Sequence, residues 1–121
     1  MRIEFNEEKK VITISTPGKN TVEISDDDKH IKLTDQNKNE IVMNSSGISL
    51  SSAKDITLKA KGAITIEATS KINATAKQDV SLEGLNVKME AKVSATVKGN
   101  AKAELSASGQ TTVKGAMVMI N

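Results

Sequence analysis

The stretch ISLSSAKDITLKAKGAITIEATSKINATAKQD (Ile48–Asp79) divides into four blocks of eight residues that share one pattern. Each block opens on Ile. Its first and third positions are mostly apolar, its second and fourth are polar, and its fifth is small. The pattern continues through VSLEGLN (Val80–Asn86, one residue short), VKMEAKVS (Val87–Ser94), ATVKGNAK (Ala95–Lys102), AELSASGQ (Ala103–Gln110) and TTVKGAMV (Thr111–Val118). The fifth position reads Ser52, Ala60, Ala68, Ala76, Gly84, Ala91, Gly99, Ala107 and Gly115. Alternation with period two puts the apolar residues on one face of a strand. A small residue every eight positions then predicts a tight corner. Self-similarity at a fixed period implies a repeat architecture.

Composition agrees with that reading. Among 121 residues there is one aromatic, Phe5, and no Trp, Tyr or Cys. Large apolar side chains normally fill a globular core. A stock of Ile, Val, Leu, Met and Ala fills only a narrow one, which favours a repeat or fibrous fold. The net charge is +2, too mild for phosphate-backbone binding, and the aromatics that stack on bases are missing, so no nucleic-acid partner is expected. Lys on exposed strand faces discourages stray edge pairing. No apolar run is long enough to cross a bilayer as a helix. The opening MRIEFNEEKK lacks the apolar stretch of a secretory leader.

Residues 1–47 read as β-rich but less regular. The apolar clusters Val11-Ile12-Ile14, Val22-Ile24, Ile31-Leu33 and Ile41-Met43 are separated by turn signals at Thr16–Asn20, Asp26–Lys29, Asp35–Asn39 and Asn44–Gly47. Either a short antiparallel meander or wider early turns of the same winding fits this spacing. The expected organisation is a β-rich collar over 1–47 and an octad-repeat needle over 48–121, with no helix.

An octad supplies a five-residue strand, about 16 Å long, and a three-residue bend. A single chain coiling alone would need two or three octads per coil. It would then carry a sixteen- or twenty-four-residue superperiod, which the sequence lacks. Three parallel copies winding around each other make all octads equivalent, because each copy gives one strand per layer. The predicted fold class is therefore all-β, an intertwined homotrimeric triangular β-helix. Its axis takes the inward side chains Ile48, Leu50, Ile56, Leu58, Ile64, Ile66, Ile72, Val80, Leu82, Val87, Met89, Val97, Leu105 and Val113. Nine layers at about 4.8 Å each give a rod of roughly 45 Å. Burial of each inward Ile, Leu or Val, about 1.5–3 kcal/mol, is available only on assembly, so folding and trimerisation should be one event.

The octads, the block VSLEGLNVKMEAKV and the ending GQTTVKGAMVMIN (Gly109–Asn121) resemble the C-terminal needle of the VgrG family, the spike of type VI secretion. They are similar also to the central spikes of contractile phage tails and extracellular contractile injection particles. The resemblance implies a homotrimeric needle that is assembled in the bacterial cytoplasm. A contractile machine then drives it outward or into a target cell through the target envelope. It implies a hub and tube on the N-terminal side, whose barrel and hub domains are not in this chain, and a conical PAAR-repeat cap at the other end. Some phage spikes hold iron through a His-x-His pair near the tip. Here the single histidine, His30, is followed by Ile31-Lys32 and lies far from the tip, so that site is not carried over.

In the last block, Thr111–Asn121, alternation is expected to continue without a corner, with Ala116, Val118 and Ile120 facing outward and Met117 and Met119 inward. Ala116, Met117, Val118, Met119, Ile120 and Asn121 would form an apolar docking platform for the cap, or a terminus that packs on itself.

Catalysis finds no candidate set: a triad needs a nucleophile, base and orienter in contact, and there is one His and no Cys. No metal or cofactor is expected. Asp26-Asp27-Asp28 lacks the spacing and Gly of a calcium loop, and zinc lacks ligands. Glu67, Glu83, Glu90 and Glu104 sit at outward positions and are expected to pair with Lys across strands. An ice-binding solenoid would need unbroken Thr columns, which the charged fourth position interrupts. A calcium-binding repeat adhesin would need Gly-Asp nonapeptides, which are absent. Thin layers at Ala74/Ala76 and Ala103/Ala107 could admit an acyl chain along the axis. The alternative to the spike is a monomeric β-solenoid adhesion or binding module.

Overall fold

A computed structural model describes residues 1–121 and resolves two compact units, Met1–Ala68 and Thr69–Asn121. The chain is all-β, and no helix forms anywhere along it. Six strands of five residues follow one another: β1 (Arg2–Asn6), β2 (Val11–Ser15), β3 (Thr21–Ser25), β4 (His30–Thr34), β5 (Glu40–Asn44) and β6 (Gly47–Ser51). They lie in one open sheet in sequence order, each antiparallel to its predecessor. Of the two arrangements open for the first third, the structure has the hairpin meander. It begins earlier than the apolar clusters indicate, because Ile3 and Phe5 of β1 pair with Ile14 and Ile12. It also ends later, because Ile48–Ser51 of the first octad form most of β6.

The turns follow from short polar side chains that bond the local backbone. Asn6 Oδ1 accepts from Lys9 N–H, Ser25 Oγ from Asp28 N–H, Asp35 Oδ1 from Asn37 and Asn39 N–H, and Asn44 Oδ1 from Ser46 N–H. In four of the five turns a lysine adopts the left-handed conformation: Lys10 (φ 53°), Lys19 (φ 67°), Lys29 (φ 53°) and Lys38 (φ 69°). The fifth turn uses Gly47 at φ 120°, a value that an L side chain rarely adopts.

From residue 52 onward no backbone N–H or C=O bonds another backbone group of the chain. The backbone instead bends at 53–54, 61–62, 69–70, 77–78, 85–86, 92–93, 100–101, 108–109 and 116–117. The interval is eight residues at every step but one, where it is seven. Each bend directly follows one of the small residues from Ser52 to Gly115.

The bend at Ala116–Met117 overturns the expectation of an uninterrupted final block. The bend follows Gly115, where an added Cβ would lie 2.9 Å from the carbonyl oxygen of Met117. The chain doubles close to itself there, as it does at Gly84 and Gly99, and a continuing alternation cannot carry across the corner.

A candidate oligomerisation surface

Antiparallel register sorts the side chains of the meander into two faces. One face carries two unbroken apolar rows. The first runs Ile3, Ile14, Val22, Leu33, Ile41, Leu50, and the second Phe5, Ile12, Ile24, Ile31, Met43, Ile48. The opposite face carries Glu4, Thr13, Glu23, Lys32, Val42 and Ser49, flanked by rows that include Ser15, Ser25, His30 and Glu40.

Exposure is inverted relative to a globular domain. In β2 and β4 the burial alternates so that Val11, Thr13, Ser15, His30, Lys32 and Thr34 are half-buried, while Ile12, Ile14, Ile31 and Leu33 are exposed. No apolar residue of the chain is buried, and the one buried side chain is the polar Ser25. The accessible surface is 12486 Å², about twice the roughly 6,300 Å² expected of a folded monomer of this mass. Two continuous rows of exposed large apolar side chains on one face mark an interface rather than a solvent face.

Hollows open on the apolar face. One, of about 530 Å³, is floored by Ile14, Val22, Leu33, Ile41 and Leu50 and rimmed by Asn20, Asp35, Asn39 and Ser52. Another, of about 430 Å³, is floored by Phe5, Ile12 and Ile24. The rim of the first is a hydrogen-bond network that joins the sheet to the first corner. Asp35 accepts from the backbone and side-chain N–H groups of both Asn37 and Asn39. Asn39 Oδ1 in turn accepts from Ser52 Oγ (3.1 Å) and Ala53 N–H (3.0 Å). The backbone bond from Asn39, followed by that residue's side-chain bond, holds the Asp35 carboxyl below its ordinary value of 3.8.

On the polar face His30 Nε2 lies 3.0 Å from Glu23 Oε2, and Lys32 Nζ lies 3.5 Å from Glu40 Oε2. His30 thus belongs to a cross-strand pair. In the second unit two of the acids pair two residues along their own segment, Glu90 with Lys88 at 3.1 Å and Glu104 with Lys102 at 2.6 Å. Both pairs are exposed and contribute little to stability. No group of three or more His, Cys, Asp or Glu side chains is placed to hold a metal ion.

The inward residues expected from the octads are exposed in the single chain. They run from Ile64 at 49% through Ile56 and Leu58 to Val97 at 81%. Only Ile48 and Leu50 of that set are joined to other apolar residues by a ladder, through β5. The tip residues are open too, with Met117, Met119 and Ile120 at 80% or more and Val118 at 52%. Sequence reasoning passed over Ile3 and Phe5, although their alternation was visible. It also passed over Leu85 and Val93, large apolar residues at bend positions that, Met117 of the last bend apart, are elsewhere polar or small.

Residues 11–121 match the family model described as the phage baseplate V C-terminal trimerisation domain. No curated protein matches the chain.

Proposed function

The chain belongs to the phage baseplate V C-terminal trimerisation domain family, and from that membership we propose that three copies wind together into the needle of a contractile injection machine. The family supports a structural, tail-spike role and association of the chain with itself. The observation that carries the finer reading is the unpaired backbone of residues 52–121. Ladder groups without partners are costly once desolvated, and neighbouring copies supply partners at every layer. The apolar face of the meander points the same way: three such faces turned toward one axis cover one another. Association then yields an intertwined triangular β-helix over the octads, with a collar of three meanders at its N-terminal end.

The mechanical role follows from the braid. Load applied along the axis is borne by ladders between copies, and mutual winding leaves no free edge along the sides. The needle would attach to the hub and tube through its collar and meet the target envelope at its other end. It would be assembled in the bacterial cytoplasm and carried outward on contraction. Ala116–Asn121 would present the platform for a PAAR-type cap, with Val118 and Ile120 of three copies as its apolar part.

Two measurements test this. Sedimentation equilibrium should return close to three times 12.9 kDa, whereas a folded species at one times that mass would overturn the trimer and leave a monomeric solenoid. Replacing Val118 and Ile120 by Lys should abolish capture of a purified PAAR-type cap while the mass stays trimeric. Undiminished capture would remove the tip from the docking surface.

A further inference from the structure

Within the second unit, successive bends are eight residues apart except between 85–86 and 92–93, where the interval is seven. The two bends that bound this short interval carry Leu85 and Val93. Leu85 is 100% exposed and Val93 96% exposed. The bends on either side carry Lys77-Gln78 and Asn100-Ala101. A large aliphatic side chain at an outer corner has no partner on its own chain, and here two such residues flank the one irregular step. The two bends follow the small residues Gly84 and Ala91, and the first corner is tight, since an added Cβ at Gly84 would stand 3.2 Å from the Asn86 carbonyl oxygen.

We infer that Leu85 of one copy packs against Val93 of the next copy, forming an interchain fastening at the shortened step. The inference rests on the trimeric winding proposed above and names a contact within it. When each copy contributes one side of a triangular layer, the corner that one copy makes at 85–86 lies on the edge where the following copy makes its corner at 92–93. That second corner is one layer further along, about 4.8 Å away. Cyclic symmetry repeats this head-to-tail contact three times and closes it. Removing one residue from the corner shortens the outer path, which draws the two side chains together. Every other layer resembles its neighbours, so a copy displaced by one block would pair almost as well there. At this step only the aligned copies bring short interval to short interval and Leu85 to Val93, much as a single irregularity fixes alignment in other repeating assemblies. The meander holds the alignment at the N-terminal end, and the fastening holds it in the far half.

The chain has no cysteine, so crosslinking can be read without background. Leu85→Cys and Val93→Cys chains, refolded as an equal mixture and oxidised, should give a covalent dimer on a non-reducing gel. The doubly substituted chain should give a covalent trimer, and either single variant alone should stay at monomer size. A mixture of Leu85→Cys with Ala101→Cys, one step off alignment, should not link. A trimeric mass with no link in the first mixture, or with equal linking in the off-step mixture, would overturn the fastening and leave the trimer standing. A monomeric mass would overturn both. Replacement of both residues by Ser, which adds no bulk, should lower the thermal midpoint of the trimer, and an unchanged midpoint would count against the contact.

Discussion

Gly99 shows how finely a corner is specified by one residue. A Cβ added there would overlap the carbonyl of Lys102 and approach Ala103 N at 3.4 Å, whereas one added at Gly62 would meet nothing within 4 Å. Gly99→Ala should therefore destabilise each copy by about 1–3 kcal/mol, the usual cost of overpacking. Gly62→Ala should stay within about 0.5 kcal/mol of the parent. Thermal unfolding of the two variants side by side checks the pair. The left-handed lysines make an opposite prediction. An ordinary L residue in that conformation costs roughly 1–2 kcal/mol, and Asn tolerates it better, so Lys29→Asn should raise the urea midpoint. Asp35 adds a dependence on pH. Its carboxyl is depressed by bonds that the unfolded chain lacks, so its contribution is fully present above the ordinary value of 3.8. That contribution is lost as pH falls through the lower folded-state value. Acid titration followed by circular dichroism should show this loss in the parent and a flatter profile in Asp35→Ala, while a parallel profile would exclude the network as its source.

At the scale of the element, the meander is a sheet with its burial reversed. The polar face of the central strands is half-buried and carries the cross-strand pairs His30–Glu23 and Lys32–Glu40, while the two apolar rows have nothing above them. Ile31→Asp, in the middle of the second row, should abolish association, since it replaces a burial of about 1.5–3 kcal/mol per copy by three like charges. Thr13→Ala on the other face should leave the mass unchanged. Sedimentation velocity at matched concentrations separates the two, and association of Ile31→Asp at the parent's strength would remove this face from the interface. The reversal was legible only in part. Ile12, Ile14, Ile24, Ile31, Leu33, Ile41 and Met43 stood out as alternating residues, but their assembly into two continuous rows depends on hairpin register. That register is set by the four- and five-residue turns and their left-handed lysines. Nothing in a period of nine or ten residues distinguishes a hairpin from a wide winding turn until the direction of the next strand is known.

For the whole molecule, the expected coupling of folding to association has a direct consequence. If the ladders of residues 52–121 form only between copies, the melting temperature must rise with protein concentration. Scanning calorimetry over a hundredfold range should show that rise. A midpoint independent of concentration, in a sample of trimeric mass, would mean that each copy is stable before it associates. The accessible surface of the lone chain, twice that of a globule of equal mass, makes this coupling the natural outcome, since conformational entropy of the needle region has no intrachain burial to offset it.

The amino-acid order alone determined that this is a β chain with corners at regular intervals, because alternation and a recurring small residue are local properties and each bend is made by its own neighbours. The seven-residue block was likewise readable, and the structure bends one residue early at that place. Only the tertiary structure decided that β1 opens the sheet, that β6 takes Ile48–Ser51 out of the first octad, and that Leu85 and Val93 stand out from their bends. Those features depend on which strand lies beside which and on how closely the backbone passes itself. Such long-range relations are fixed by hydrogen-bond register and steric contact, and no count along the chain contains them.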